Sequence, residues 1–182
     1  MDDKDLQIEN ILDKKPIKKK IDGKAKGNRT ELNLCKLLSA HFKEEFSKAP
    51  GSGSRWSQVS YLPEHAKKTL TGDVCVPEGF TWVIESKGGY EKDIDLNSVF
   101  DEGISRIDSF IEQSKRDAEY CDRKPMICWK RNRKPWLIMI KLKDLRPCKE
   151  NLFPYRIYYR EWIIVPLEEL LNKTQRDFWF SK

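Results

Sequence analysis

The sequence predicts an α/β domain in which helices flank a mixed central β-sheet. Three observations carry that expectation. The elements run helix, hairpin, helix, strand, strand, an order suited to helices packed on a mixed sheet. Two stretches space apolar residues as helices do, Leu34, Leu38 and Phe42 in one, and Ile104, Ile107, Phe110, Ile111 and Ala118 in the other. Between them, Trp82-Val83-Ile84-Glu85-Ser86-Lys87 is a β-prone run that ends in charge.

Residues 1–27 read as a basic, flexible arm. Lys14, Lys15, Lys18, Lys19, Lys20, Lys24 and Lys26 crowd there, and apolar residues are too sparse to offset the entropy of ordering. Such an arm either grips phosphates by counterion release or only solubilises the chain. Residues 28–182 form a single domain. Its first helix runs from Asn28 to Phe42, with Cys35 and Leu37 widening the apolar stripe. Glu31 has two readings. It closes a capping box with Asn28, or it faces the sheet as an acidic group near Asp73 and Glu85.

Residues 47–72 form a long connection. Ala49-Pro50-Gly51-Ser52-Gly53-Ser54 is flexible by composition, and Arg55, Trp56, His65, Lys67 and Lys68 follow. Small hydroxyl residues beside an arginine suit contact with a phosphate backbone, and an ordinary surface loop has the same composition. Pro77-Glu78-Gly79 reads as a turn, so Thr71-Gly72-Asp73-Val74 and the strand at 82–87 make a hairpin that brings Asp73 to Glu85 and Lys87. Gly88-Gly89 then breaks the strand. A second helix spans roughly 98–120, with Ser114 in its buried stripe and Gln113 beside it. Pro125–Trp129 and Pro135–Ile140 read as paired strands joined by the basic turn Lys130-Arg131-Asn132-Arg133-Lys134. The cations of that turn sit next to Trp129 and Trp136, a mixture common on nucleic-acid surfaces and also at solvated hairpin tips. An aromatic strand pair around Tyr155–Val165 and a short helix, Pro166–Lys173, complete the chain.

The chemistry concentrates at Glu85 and Lys87. Side chains two apart in a strand share a face, so both project together while Trp82, Ile84 and Ser86 point the other way. Burying charge is costly unless it is paired or bound to a metal. Two acids and a lysine at one sheet edge suit a hard divalent cation and an activated water. Spacing alone is weak, because acid-x-Lys starts at Asp2, Asp13, Asp22, Glu85 and Asp122. Only the Glu85 instance follows a strand and has a partner acid ahead of a turn. An ordinary surface pair is the bland alternative.

Bulk properties set limits. At 182 residues the chain accommodates one domain with tails. A net charge of +6 and a pI near 9.0 point to an anionic partner. Charged residues at 35% against 38% hydrophobic predict some unstructured length. The five cysteines, at 35, 75, 121, 128 and 148, include no C-x-x-C, which argues against a zinc knuckle or redox pair and for a reducing, cytoplasmic setting. Cys75 and Cys128 fall in apolar runs and read as small core residues. His41 and His65 lack ligand spacing. No apolar run suits membrane spanning or secretion.

The arrangement resembles the PD-(D/E)XK nuclease superfamily, and within it the archaeal-type Holliday junction resolvases, including those carried by bacterial viruses. The residues that carry the resemblance are Gly27-Asn28-Arg29-Thr30-Glu31, Gly51-Ser52-Gly53-Ser54, Thr71-Gly72-Asp73, Ile84-Glu85-Ser86-Lys87, Gln113, Asp117-Ala118 and Lys130 to Trp136. It covers about residues 26–141, with 28–141 as core and 142–182 as an aromatic extension. The resemblance implies a restriction-endonuclease-like core and a Mg²⁺-dependent endonuclease, with Mn²⁺ able to substitute. By the same resemblance, Asp73, Glu85 and the Ser86 carbonyl hold the metal, Lys87 orients or polarises the attacking water, and Glu31 assists at this metal or a second one. It favours the sheet-facing reading of Glu31. It assigns DNA contacts to Arg29, Ser52 or Ser54, Arg55, Gln113, Arg131 and Arg133. It further implies a homodimer acting on four-way DNA junctions inside a cell, including a virus-infected host cell. The group's Pro-Asp is Gly72-Asp73 here, a change expected to be harmless because glycine also permits the turn. The competing readings are another nuclease of the superfamily (restriction-like, nicking or end-processing) and a non-catalytic DNA-binding module.

Overall fold

The structure, a computed structural model, describes residues 23–50, 61–89, 105–145 and 150–181. In chain order the elements are α1 (Gly23–Phe42), β1 (Ser47–Lys48), α2 (Glu64–Thr69), β2 (Val74–Cys75), β3 (Trp82–Gly88), α3 (Arg106–Cys121), β4 (Lys124–Lys130) and β5 (Trp136–Lys141). They are followed by α4 (Leu142–Leu145), a 3-10 turn at Glu150–Leu152, β6 (Ile157–Tyr159), β7 (Trp162–Pro166), α5 (Leu167–Lys173) and α6 (Arg176–Trp179). Five strands form the central sheet in the order β3-β4-β5-β7-β6. β3 and β4 are parallel, joined through α3, and the other pairs are antiparallel, so the sheet is mixed as expected.

Period-two alternation along β3 decides which side each residue serves. Trp82 and Ile84 enter the main core with Leu34, Leu38 and Phe42 of α1, Met126 and Cys128 of β4, and Ile138 and Ile140 of β5. Each such side chain, fully buried, contributes about 1.5–3 kcal/mol. On the opposite face, Ile107, Phe110 and Ile111 of α3 cover Ile127, Met139 and Ile164, and Val83 packs on Ala118 and Cys121. Cys128 is a core residue, and its burial pushes the thiol well above its ordinary pKa. Cys75 is only half-buried.

α3 has strong ends. The Ser105 hydroxyl accepts from the Asp108 N–H at 3.1 Å, and the Asp108 carboxylate accepts from the Ser105 N–H at 3.2 Å, a complete capping box. Tyr159 donates to Asp108 at 2.9 Å, fastening the helix start to β6. At the other end Asp122 adopts φ 54°, a left-handed cap, and its N–H donates to the Ala118 carbonyl.

Several expectations need correction. α1 begins at Gly23, inside the stretch read as a flexible arm, so Asn28 is not its cap and the capping-box reading of Glu31 fails. Residues 1–22 and 90–104 lie outside the described residues, and with them the 98–104 part of the second helix expected at 98–120, including Ile104. The connection at 47–72 contains two elements, β1 and α2. β2 does not form a hairpin ladder with β3. It pairs with β1 in a separate two-stranded ribbon, Ser47 opposite Cys75 and Lys48 opposite Val74. The segment read as an extension is part of the sheet and core. β6 and β7 are two of the five strands, and Phe178, Trp179 and Phe180 complete the main core. No helix among the described residues is long and apolar enough to cross a membrane.

Candidate active site

Asp73, Glu85 and Lys87 converge at the open edge of β3. The edge opposite β4 carries backbone groups of Ile84 and Ser86. The Asp73 N–H donates to the Ile84 carbonyl at 2.8 Å, and the Ser86 N–H donates to Asp73 Oδ2 at 2.8 Å. Asp73 is thus fixed by a backbone bond and a side-chain bond to alternate residues of one strand. Strand alternation directs the Ser86 carbonyl to that same edge, next to the Asp73 carboxylate. The Ser86 hydroxyl points into the core, so the backbone of Ser86, and not its side chain, serves this edge.

Gly72 sets the approach. It has φ +92°, and a Cβ there would come within 2.9 Å of the Ile84 carbonyl oxygen and of Val83 Cγ2. Proline, with φ held near about −65°, cannot adopt this conformation. The departure from Pro-Asp is therefore not a neutral exchange: this turn is built for glycine. Gly72→Ala is expected to cost about 1–3 kcal/mol in stability, measured by urea unfolding.

Glu85 is only 3% exposed. Its Oε1 accepts from Lys87 Nζ and, at 2.6 Å, from Gln113 Nε2. Lys87 Nζ also donates to Gln113 Oε1 at 3.0 Å and lies 4.9 Å from the centre of the Phe110 ring. Burial and then the neighbouring Asp73 carboxylate push the Glu85 pKa from 4.5 up to about 8, against the opposing pull of Lys87. Glu85 therefore holds its proton more tightly than a free carboxyl does. This is a donor set that a hard divalent cation fits: two crowded carboxylates and a carbonyl oxygen, whose mutual repulsion a dication relieves on displacing the proton.

Glu31 lies elsewhere in the charge network. It is 8% exposed on the core side of α1, as the sheet-facing reading expects, but it pairs with Lys48 Nζ at 3.1 Å. Lys48 also donates to Asn28 Oδ1. Among the described residues, no three acidic, histidine or cysteine side chains gather in a metal-holding group, so the expected three-acid cluster is not formed. Gln113, expected at the DNA, is hydrogen-bonded to both members of the Glu85–Lys87 pair. Its position beside the apolar stripe signalled only that it lies near the sheet. Lys48 escaped the sequence reading altogether. Only its place just ahead of the Pro50–Ser54 loop could have drawn attention to it.

Arg29 is exposed on α1. Ser52, Ser54 and Arg55 lie outside the described residues. Arg131 stacks 5.8 Å from the Trp129 ring, and Arg133 occupies the β4–β5 turn with φ 57°. Trp129 Nε1 donates to the Gly89 carbonyl at 3.1 Å, tying this hairpin to the end of β3.

The family model described as "Phage putative PDDEXK endonuclease" matches residues 22–179. Protein D14 of Escherichia phage T5 is 28% identical over 137 residues, which are 72% of this chain and 78% of that protein. Among solved structures, Archaeoglobus fulgidus Hjc, a Holliday junction resolvase, is similar with a TM-score of 0.40 and 17% identity, covering 79% of this chain and 90% of that one.

Proposed function

Since this chain belongs to the phage PDDEXK endonuclease family, we propose that it is a Mg²⁺-dependent endonuclease that cuts branched DNA, with the four-way junction as its preferred substrate. Mn²⁺ substitutes, and two copies act as a homodimer, a two-fold enzyme on a two-fold substrate. The observation that carries the reading is the half-buried Asp73 beside the buried Glu85, with Lys87 and Gln113 bonded to Glu85. The junction preference is supported by the resolvase-like loop and hairpin sequences and by the net positive charge.

Asp73, Glu85 and the Ser86 carbonyl would hold the cation. A divalent cation at such a site supplies Lewis-acid polarisation of the scissile phosphate and lowers the pKa of a water by several units. The Ser86 N–H fixes the Asp73 carboxylate, so little reorganisation is needed when substrate arrives. Lys87 offers an ammonium in a partly dry site, where it stabilises the negative charge that develops on the phosphoryl oxygens and orients the attacking water. Gln113 holds Lys87 and Glu85 in register. Gln113→Leu is expected to lower kcat by about 10- to 100-fold, as losses of orienting partners do, with DNA affinity retained in a filter-binding assay. A true DNA contact would weaken binding instead.

Arg131 and Arg133 act on phosphates. Removing both is expected to weaken junction binding and to reduce the slope of log K against log salt by about 1.8, or 0.9 per lost contact, in a titration followed by fluorescence anisotropy.

The deciding experiment offers Mg²⁺ and labelled four-way junction, nicked, flap and plain duplex DNA to the protein and to Asp73→Asn. Paired, symmetric cuts in the junction by the wild type alone are expected. Equal cutting by both proteins overturns the active site. Equal cutting of all DNAs by the wild type leaves the nuclease and removes the junction preference. Salt-sensitive binding with no cutting points to a binding module.

A further inference from the structure

We propose that Ser114 is a positioning residue for the metal site: its hydroxyl donates to the Glu85 carboxylate when that carboxylate carries a cation. This rests on the reading that Asp73 and Glu85 hold the cation.

Ser114 lies on the face of α3 that covers the sheet and is only 1% exposed. Its Oγ has no hydrogen-bond partner among the described residues. A serine inside a helix ordinarily returns its hydroxyl to the carbonyl four residues earlier or turns it to water. Ser114 does neither, and a buried hydroxyl left unpaired is costly enough to call for a reason.

The neighbours of Ser114 fix the level at which it meets the sheet. α3 joins the parallel strands β3 and β4, so it runs back against both. Phe110 stands at the level of Lys87, whose Nζ is 4.9 Å from its ring centre, and Ala118 packs on Val83. Four helical residues rise about 6.0 Å, and two strand residues about 6.6 Å. One step of four along α3 therefore matches one step of two along β3. Ser114, midway between Phe110 and Ala118, stands at the level of Glu85, midway between Lys87 and Val83. Gln113 agrees with that level, since its Nε2 donates to Glu85 Oε1 at 2.6 Å. The cross-strand row through Glu85 continues with Ile127, Met139 and Ile164, whose side chains offer a hydroxyl no oxygen to bond. Glu85 is thus the acceptor in this row. Carboxylates that carry a metal are themselves oriented by hydrogen bonds, which support the ion. Glu85 Oε1 already accepts from Lys87 and Gln113, and a carboxylate accommodates about four such bonds. Ser114 is the buried donor placed to add one.

Calorimetric titration of the metal-free, full-length protein with Mn²⁺, together with thermal melts in EDTA, tests this. Ser114→Ala is expected to weaken Mn²⁺ binding by about tenfold. In EDTA it should melt about 2–4 °C higher than the wild type, because alanine removes an unpaired buried hydroxyl and favours the helix. A merely structural serine would not move the two measurements in opposite directions. In cleavage assays the Mg²⁺ concentration giving half the maximal rate should rise by a similar factor, with kcat recovered at saturating Mg²⁺. Asp73→Asn, the check on the metal pair, should also lose Mn²⁺ affinity. Unchanged affinity in Ser114→Ala beside weakened Asp73→Asn overturns the role of Ser114 and leaves the metal pair standing. A lower melt of Ser114→Ala in EDTA overturns it as well, since the hydroxyl would then be bonded in the metal-free protein. Undiminished affinity in Asp73→Asn overturns the metal pair, and the role of Ser114 falls with it.

Discussion

Glu85→Gln is expected to abolish cleavage and, in the absence of metal, to make the protein more stable. The Glu85 carboxyl has its pKa raised from 4.5 to about 8 by burial first and by Asp73 second. An acid raised in the folded state contributes its full stability below about pH 4.5, where both folded and unfolded chains hold the proton. That contribution drains away as pH climbs through about 8, because the unfolded chain ionises freely and the folded one resists. The loss is on the order of a few kcal/mol. Glutamine mimics the protonated acid: it accepts from Lys87 and Gln113 and has an N–H to offer Asp73. Melts in EDTA should give matching curves for both proteins near pH 4. By pH 9 the variant should melt about 5–10 °C higher. A variant that melts lower than wild type at pH 9 would mean that the ionised carboxylate is stabilising, and the account of the pair would be wrong. Cleavage with Mg²⁺ should fall by about a thousandfold or more, the rate equivalent of losing several kcal/mol of transition-state charge stabilisation. On the proposed reading, a cation held by Asp73 and Glu85 would relieve this cost.

Trp179→Ala is expected to cost about 3–5 kcal/mol and to lower the melting temperature by about 10 °C or more. Trp179 is 1% exposed. Its ring lies 5.4 Å from Phe42, 6.0 Å from Trp82 and 4.9 Å from Phe178, and it stacks on Phe80 at 6.1 Å. Its Nε1 donates to Thr174 Oγ1 at 2.8 Å, and its carbonyl accepts from the Thr81 N–H at 2.9 Å. Because Thr81 immediately precedes β3, the loss should reach the strand that carries Glu85 and Lys87. Tyr158→Ala serves as the contrast. It is a 49% exposed residue and should change stability by no more than about 0.5 kcal/mol in urea titrations. Equal effects of the two substitutions would contradict the packing.

What the sequence reveals here follows the range of the interaction. β3 was legible because alternation is local: Trp82 and Ile84 go to one core, and Val83 and Glu85 go to the other face. The stripe Leu34–Leu38–Phe42 and the β4–β5 hairpin were legible for the same reason. The start of α1 was hidden, since its first turns carry no large apolar residue to mark a face, and lysine and alanine are good helix formers without one. β1 and β2 have two residues each, too few to show a period. The C-terminal aromatics pair with residues nearly a hundred positions earlier, as in the Thr81–Trp179 bond, and no local pattern encodes that partnership. Within the site, Asp73, Glu85 and Lys87 could be assembled from strand geometry. Gln113 and Lys48 could not, because a single polar residue on a mixed surface gives no sign of the side chain it will meet.

The β3–β4 register turns the sheet into a ruler. Lys87 lies directly opposite Trp129 in the parallel pair, so the hairpin tip at Arg131–Arg133 begins two residues further on. At about 3.3 Å per residue the turn begins roughly 7 Å beyond Lys87 along the strand direction, and the Lys134 N–H bond to the Arg131 carbonyl turns the chain back there, so the tip extends to no more than about 10 Å. DNA advances about 3.4 Å per nucleotide along its axis, so on the proposed reading a phosphate grasped at the tip would lie about two to three nucleotide steps from the bond to be cut. Lengthening that hairpin by a residue pair should move the cut outward without touching a single catalytic group.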